Sequence, residues 1–251
     1  MQIVGYDVGS PERSSKLLFA QGKEIHQQAL VPGNELEYML QSRRCAGAIE
    51  ENTHIACTNE EAPYCPQHTD IWPCARCRGD CSMPVANCHK PHVLYLAVFA
   101  PAIYKVGVTK KTRLEQRLYE QGADRGAYLT SFPNGRAARK REAELATEIG
   151  DRIQVSQKIK GLDRSVDVQQ WEELLSQFDT IERYNLNYNI ELEHAPIQET
   201  MVSGTVRGVK GRILLVENNN TVYATDLRDL VGYIVEEGST DQNRQSSLDA
   251  F

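Results

Sequence analysis

The sequence predicts an α+β protein assembled from small units: an N-terminal β region with two zinc-binding modules, a central domain interleaving strands and helices, and a small C-terminal β-barrel. Three observations carry this. All seven cysteines fall between Cys45 and Cys88. Apolar runs of strand character alternate with amphipathic helical patterns between residues 93 and 180. Glycine-punctuated apolar runs follow between residues 198 and 238. At 251 residues and 41% hydrophobic content the chain suits several modest cores better than one deep one.

Taken in order, residues 1–40 alternate at Ile3, Gly5 and Asp7, at Leu17 and Phe19, and at Ile25, Gln27 and Ala29. They read as short strands turning at Gly22 and Pro32-Gly33. Residues 41–92 hold the cysteines and most of the histidines. Residues 93–180 read as strand, strand, helix, strand, helix, then an amphipathic helix near Val166 to Phe178. In 198–238 the runs are Met201–Val206, Arg212–Val216, Thr221–Ala224 and Val231–Val235, with a hairpin turn at Asn218-Asn219-Asn220. This is the pattern of a small barrel. Residues 239–251 are polar and expected to be disordered.

No stretch approaches the roughly 20 apolar residues of a membrane span. Met1 to Ser10 lacks the basic start and apolar run of a secretory leader, so a cytoplasmic location without membrane contact is expected. In a reducing compartment, closely spaced cysteines indicate metal rather than disulfides. Cys45, Cys57, Cys65 and His68 run as C-x11-C-x7-C-x2-H, and the Cys65–His68 pair is a two-residue knuckle able to grip one tetrahedral ion. Cys74, Cys77, Cys81 and Cys88 form a second array, followed by His89 and His92. Seven cysteines plus His68 thus make two four-ligand structural zinc sites. A competing partition uses His92 in place of a cysteine. Core cysteines without metal, and an iron–sulfur cluster, are the other readings.

Net charge is −6, yet between Pro101 and Arg141 ten basic residues face only Glu115, Glu120 and Asp124. Lys110, Lys111, Arg113, Arg136, Arg139 and Lys140 belong to this island. A local cationic excess in an acidic chain is the footprint of a polyanion site, with a solvated helix face as the plainer alternative.

The central residues resemble a known superfamily. Val93 to Phe99, with Tyr95, and Ile103 to Thr109, with Lys105 and Gly107, are followed by a basic helix bearing Arg117 and a later helix bearing Glu142. This order is similar to the GIY-YIG endonucleases, and closest to a prokaryotic branch joining a cysteine-rich segment to a YLA…KVGVT…R…QGA core. The resemblance covers about residues 93–150. It implies a three-stranded antiparallel sheet flanked by helices, and phosphodiester hydrolysis dependent on Mg²⁺ or Mn²⁺. Residue by residue it implies Tyr95 as the first signature tyrosine, Gly107 as the signature glycine, Arg117 as the helix arginine and Glu142 as the metal ligand. Lys105 stands where the second tyrosine belongs, which opens the alternative of a member that binds without cutting. Asn187 and Asn189 are candidates for the late asparagine.

The residues can also be read without the resemblance. Ala138, Leu145, Ile149 and Ile153 form the inward stripe of a helix from Gly135 to Ile153, and Glu142 lies on it. An inward carboxylate is either a cation ligand or half of a buried pair with Arg117 or Lys105. Gly107 marks either a close approach or a bulge, and Tyr95 is either a site residue or a core aromatic.

The expectation from sequence is a zinc-containing nucleic-acid-binding protein with a nuclease-like domain. The alternative is an inactive binder or an adaptor using the barrel for a protein partner.

Overall fold

The computed structural model describes residues 1–69, 77–82, 84 and 88–238. Four strands open the chain: β1 (Gln2–Asp7), β2 (Lys16–Gln21), β3 (Glu24–Ala29) and β4 (Glu35–Arg43). A small hairpin of β5 (Ala48–Glu50) and β6 (Thr53–Ile55) lies between Cys45 and Cys57. Then come β7 (His92–Phe99), β8 (Ile103–Thr109), a 3-10 turn at Lys111–Arg113, α1 (Leu114–Gln121) and β9 (Arg125–Phe132). The helices α2 (Gly135–Leu145), α3 (Val155–Ile159) and α4 (Val168–Leu175) precede β10 (Glu182–Asn185). The chain closes with β11 (Ile197–Gln198), β12 (Ser203–Lys210), β13 (Ile213–Asn218), β14 (Thr221–Asp226), α5 (Leu227–Leu230) and β15 (Tyr233–Glu237). Among the described residues no helix is long and apolar enough to cross a membrane. The polar tail 239–251 lies outside the described residues.

Both expected architectures, the C-terminal barrel and the three-stranded central sheet, are corrected. The runs between 198 and 238 do form strands, and Asn219 and Asn220 take the left-handed conformation (φ 49° and 59°) that a two-residue hairpin requires. They close no barrel. β12 pairs with β4, and β15 inserts between β4 and β1, giving one sheet ordered β11-β14-β13-β12-β4-β15-β1-β2-β3. The sheet is mixed, because β11 runs parallel to β14 while its other pairs are antiparallel. The cause is burial. Ile3, Leu17, Phe19 and Leu36 share one core with Val206, Leu214, Leu230 and Val235. Neither end of the chain has enough apolar surface to finish a core alone, and each covers the other's open edge.

The central sheet has four strands, ordered β10-β9-β7-β8, with β10 as the addition. β7 is buried from Val93 to Phe99. Leu94, Leu96 and Val98 face Leu145, Trp171 and Leu175 from α2 and α4. Val93, Tyr95 and Ala97 face Leu114 and Leu118 of α1. That double burial is why β7 reads as an unbroken apolar run. The helix expected to reach Ile153 stops at Leu145, and Gly150 turns the chain at φ 89°. Ala138 and Leu145 are buried as the stripe requires, but Ile153 packs on the opposite side of the sheet, beside α1.

The two sheets are fastened together. Lys210 Nζ meets Asp124 Oδ1 at 2.5 Å, and Gln116 Nε2 donates to the Gly9 carbonyl at 3.0 Å. The Tyr188 hydroxyl donates to the Ala123 carbonyl at 3.0 Å, while Ile159 and Leu162 pack on Ile213 and Leu215.

Because Leu36 is 1% exposed in the core shared by both chain ends, Leu36→Ala should cost about 2–5 kcal/mol of stability. A urea melt monitored by circular dichroism reads this. A loss within 0.5 kcal/mol would contradict a shared core.

Candidate functional site

Cys45 follows β4 directly, Cys57 follows β6, and Cys65 and His68 sit on the next turn. The β5–β6 hairpin folds the intervening chain back, so the four ligand atoms lie within 4.8 Å of one another. Cys45 and Cys65 are buried. Cys57 Sγ and Cys65 Sγ stand 4.0 Å apart, and His68 Nδ1 is 3.3 Å from Cys65 Sγ and 3.4 Å from Cys45 Sγ. A disulfide needs about 2.05 Å between sulfurs. A tetrahedral ion bonded at about 2.3 Å to sulfur and 2.0 Å to nitrogen sets ligand atoms roughly 3.5–3.8 Å apart. The spacing is that of ligands around an ion, and the Cys₃His set could hold a metal such as zinc.

Backbone donors support the sulfurs: the Gly47 and Cys65 amides point at Cys45 Sγ, at 3.4 and 3.3 Å. Burial pushes the Cys65 thiol up, but hydrogen bonding to His68 and the Gln67 amide outweighs it and brings the group to about 7. Burial holds the Cys45 thiol above its ordinary value. Gly47 has φ 70°, and a Cβ there would strike the Ile55 carbonyl at 2.0 Å, so the turn into the hairpin needs glycine.

Of the second array, Cys74 lies outside the described residues. The rest stands against α2. A side chain at Gly79 would meet the Arg136 carbonyl, and one at Gly135 would meet both the His92 ring and Cys88 Cβ. Arg136 Nη2 lies 3.8 Å from Cys81 Sγ. Cys77 lies on the wall of the neighbouring cleft.

That cleft, of about 460 Å³, brings together Tyr95 from β7, Lys105 and Gly107 from β8, Arg117 from α1, and Arg139 and Glu142 from α2. Register explains the first contact. Tyr95 pairs across the sheet with Gly107, and a Cβ on Gly107 would lie 2.4 Å from the Tyr95 ring and hydroxyl. Gly107 is therefore where the Tyr95 ring lies down, not a bulge. The Tyr95 hydroxyl accepts from Gln121 Nε2 at 2.6 Å. Tyr104 takes the opposite face and stacks on Trp171, leaving Lys105 to line the cleft.

Glu142 is half-buried. Its ion-pair partner is Arg139, one turn away at 3.9 Å, rather than Arg117 or Lys105. Burial raises its carboxyl, opposed by Arg139 and Lys105. Burial lowers the Lys105 ammonium, and Arg117 lowers it further against the pull of Glu142 and Asp151. Burial raises the Tyr95 hydroxyl, while the Gln121 hydrogen bond and Arg117 draw it back.

The basic island divides. Arg139 lines the cleft. Lys111 lies over the Tyr128 ring, Arg113 pairs with Glu120 at 2.9 Å, and Arg136 meets Cys81. Lys110 and Lys140 are among neither the cleft's lining residues nor the ion pairs. Asn187 and Asn189 lie on the segment after β10 and do not line the cleft. Sequence reasoning missed Gln121, Asp151 and Arg152. The glycine at 150 was the available signal: it ends the helical pattern and returns the next two residues to the cleft.

Residues 65–235 match DUF2797, described as a protein of unknown function, and with well over half of its length matched the chain belongs to that family. The matched span holds Cys65, His68 and every cleft residue named above, and begins after Cys45 and Cys57. No curated protein and no solved structure matches the chain.

Gly107→Ala should lower stability by roughly 1–3 kcal/mol through overpacking against Tyr95. Most of that penalty should vanish in a Tyr95→Ala background, so a double-mutant melting cycle should show strong coupling. Additive effects would mean the two residues do not share this space.

Proposed function

We propose that this DUF2797 member is a zinc-stabilised nucleic-acid-binding protein that cleaves phosphodiester bonds in the cleft of Tyr95, Lys105, Arg117 and Glu142. The observation that carries the reading is the convergence of these four residues, from four separate elements, on one cationic cleft. It accords with the likeness of their spacing to the GIY-YIG endonucleases.

Two carboxylates in the cleft are available to a hard divalent ion. Glu142 and Asp151 line the cleft, and Mg²⁺ characteristically takes one or two carboxylates, with water and substrate phosphate completing its shell. Bound there, Mg²⁺ or Mn²⁺ would polarise the scissile phosphate and ease departure of the 3′ oxygen. The chain supplies the rest. Arg117 offsets charge that grows on the phosphoryl oxygens. Tyr95, or Lys105 with its lowered affinity for a proton, takes a proton from the attacking water. Gln121, donating to the Tyr95 oxygen, offsets part of the rise that burial imposes on this hydroxyl. Arg139 attracts the backbone. Lys105 in place of a second tyrosine favours the other reading, a protein that binds without cutting.

Zinc is proposed for the Cys₃His cluster, because three thiolates and an imidazole select it over hard cations. A second zinc is proposed for the array beside α2. Elemental analysis of purified protein should give close to two zinc ions per chain, falling to one in Cys57→Ser. Iron and sulfide absorbance, or no metal, would refute the assignment. Ligand deprotonation makes binding proton-linked, so acidification should release the ions.

Glu142→Gln separates enzyme from binder. It should leave affinity for a single- or double-stranded DNA or RNA substrate unchanged or slightly higher, and lower Mg²⁺-dependent cleavage by about two orders of magnitude. Glu144, 63% exposed and paired with Arg141, supplies the control: Glu144→Gln should change little. Binding without cleavage in the wild type would establish the second reading. Salt-insensitive binding, or none, would overturn both.

A further inference from the structure

The cleft continues past Lys105 and Arg117 into a second lobe of about 610 Å³ between the two sheets. Tyr6 and Asp7 at the end of β1, and Arg212 beside β13, form its far wall; Gln121, Arg152 and Lys158 form the near one. Lys105, Arg117, Asp151 and Arg152 line both lobes, so the two are one groove.

The charge balance of this lobe is incomplete. Two of its three carboxylates are engaged, Asp7 with Arg13 and Glu120 with Arg113 and Arg117, which leaves Asp151 against five cations. Arg212 is held by Asp226 at 2.8 Å. Among the described residues Lys105, Arg152 and Lys158 make no ion pair. Lys158 is the most exceptional. Its ammonium donates to the Gln121 carbonyl at 2.7 Å and lies 4.3 Å from the centre of the Phe99 ring, and the charges acting on it are Lys105, Arg212 and Arg117 against Asp226 alone. A half-buried ammonium among cations loses hydration and suffers repulsion. An anion entering the lobe would reverse both.

We infer that this lobe is a second phosphodiester site, in which Lys158, Arg152 and Arg212 hold the backbone of a single polynucleotide strand next to the phosphate at Glu142. The inference rests on the proposed polynucleotide substrate. The volume is that of a small-molecule pocket, which admits a nucleotide or two and excludes the cross-section of a duplex. Tyr6 is the aromatic residue of the far wall, the side-chain type on which bases stack. Burial and the neighbouring cations bring Lys158 down to about 7, so a bound phosphate would draw a proton onto it. Binding should then weaken as pH rises from 7 to 9, because the complex holds a proton that the free protein has lost.

The test uses the full chain in magnesium-free buffer with fluorescent 12-nucleotide DNA and RNA single strands and a 12-base-pair DNA duplex. Lys158→Gln and Arg152→Gln should each weaken single-strand binding about tenfold, the worth of one charge-assisted hydrogen bond. Each should reduce the slope of log affinity against log salt by about 0.7. Lys158→Gln should also flatten the pH dependence between 7 and 9, which a purely structural lysine would not do, and should leave duplex binding unchanged. DNA and RNA responding alike assigns the site to the phosphate backbone. If Arg139→Gln weakens binding and Lys158→Gln and Arg152→Gln do not, the second site is refuted while the proposed function stands. If the wild type binds the duplex but no single strand, only the second site is refuted; if it binds neither, the proposed function falls and this inference with it. Arg152 is exposed, so its variant reports even if Lys158→Gln unfolds.

Discussion

The placement of β4 between β12 and β15 is the constraint on which the rest depends. It joins strands more than 150 residues apart, and Gln2 fastens the joint. Buried at 5% exposure, its amide donates to the Cys45 carbonyl at 3.1 Å and the Gly232 carbonyl at 3.0 Å. The N-terminus, the first cysteine of the Cys₃His cluster and the turn before β15 are thus held by one side chain. A buried amide with its donors satisfied is stable where an unsatisfied one would cost about 1–3 kcal/mol.

From that joint two consequences follow. Cys45 leaves β4 at a fixed point, so the β5–β6 hairpin needs only to fold back once for Cys57, Cys65 and His68 to reach it. The same sheet carries Tyr6, Asp7 and Arg212 to the mouth of the cleft, giving the central sheet a second wall it does not possess by itself. The cleft and the Cys₃His cluster are therefore both tied to the large sheet, although their sequence segments are separate.

Inside the central sheet the governing contact is small. Gly107 gives up its side chain so that the Tyr95 ring can lie across β8, and this sets the hydroxyl against Gln121 at the head of the cleft. Lys105, two residues earlier on the same face, then lines the cleft, while Tyr104 turns to Trp171. A single-residue slip in the β7–β8 register would exchange these faces and take Lys105 out of the cleft.

Much of the local structure was legible in the sequence. The Cys₃His quartet could be read because cysteine and histidine are the residues that thiolate-rich tetrahedral sites draw on, and the Cys65–His68 knuckle is short. The strands could be read because alternation and apolar runs are properties of neighbouring residues, and the Asn218–Asn220 turn because few side chains tolerate positive φ. The pairing of β15 with β1 and β4 was not legible. It depends on which apolar faces complete one core across the length of the chain, and local patterns carry no information about distant partners. For the same reason the barrel expected from residues 198–238 was the natural local answer and the wrong one: those strands have open edges, and β4 was available to cover one. Asp151, Arg152 and Lys158 escaped notice because a charged residue is ordinary in sequence. Only the turn at Gly150 and the approach of the second sheet decide that these charges face a cleft rather than water.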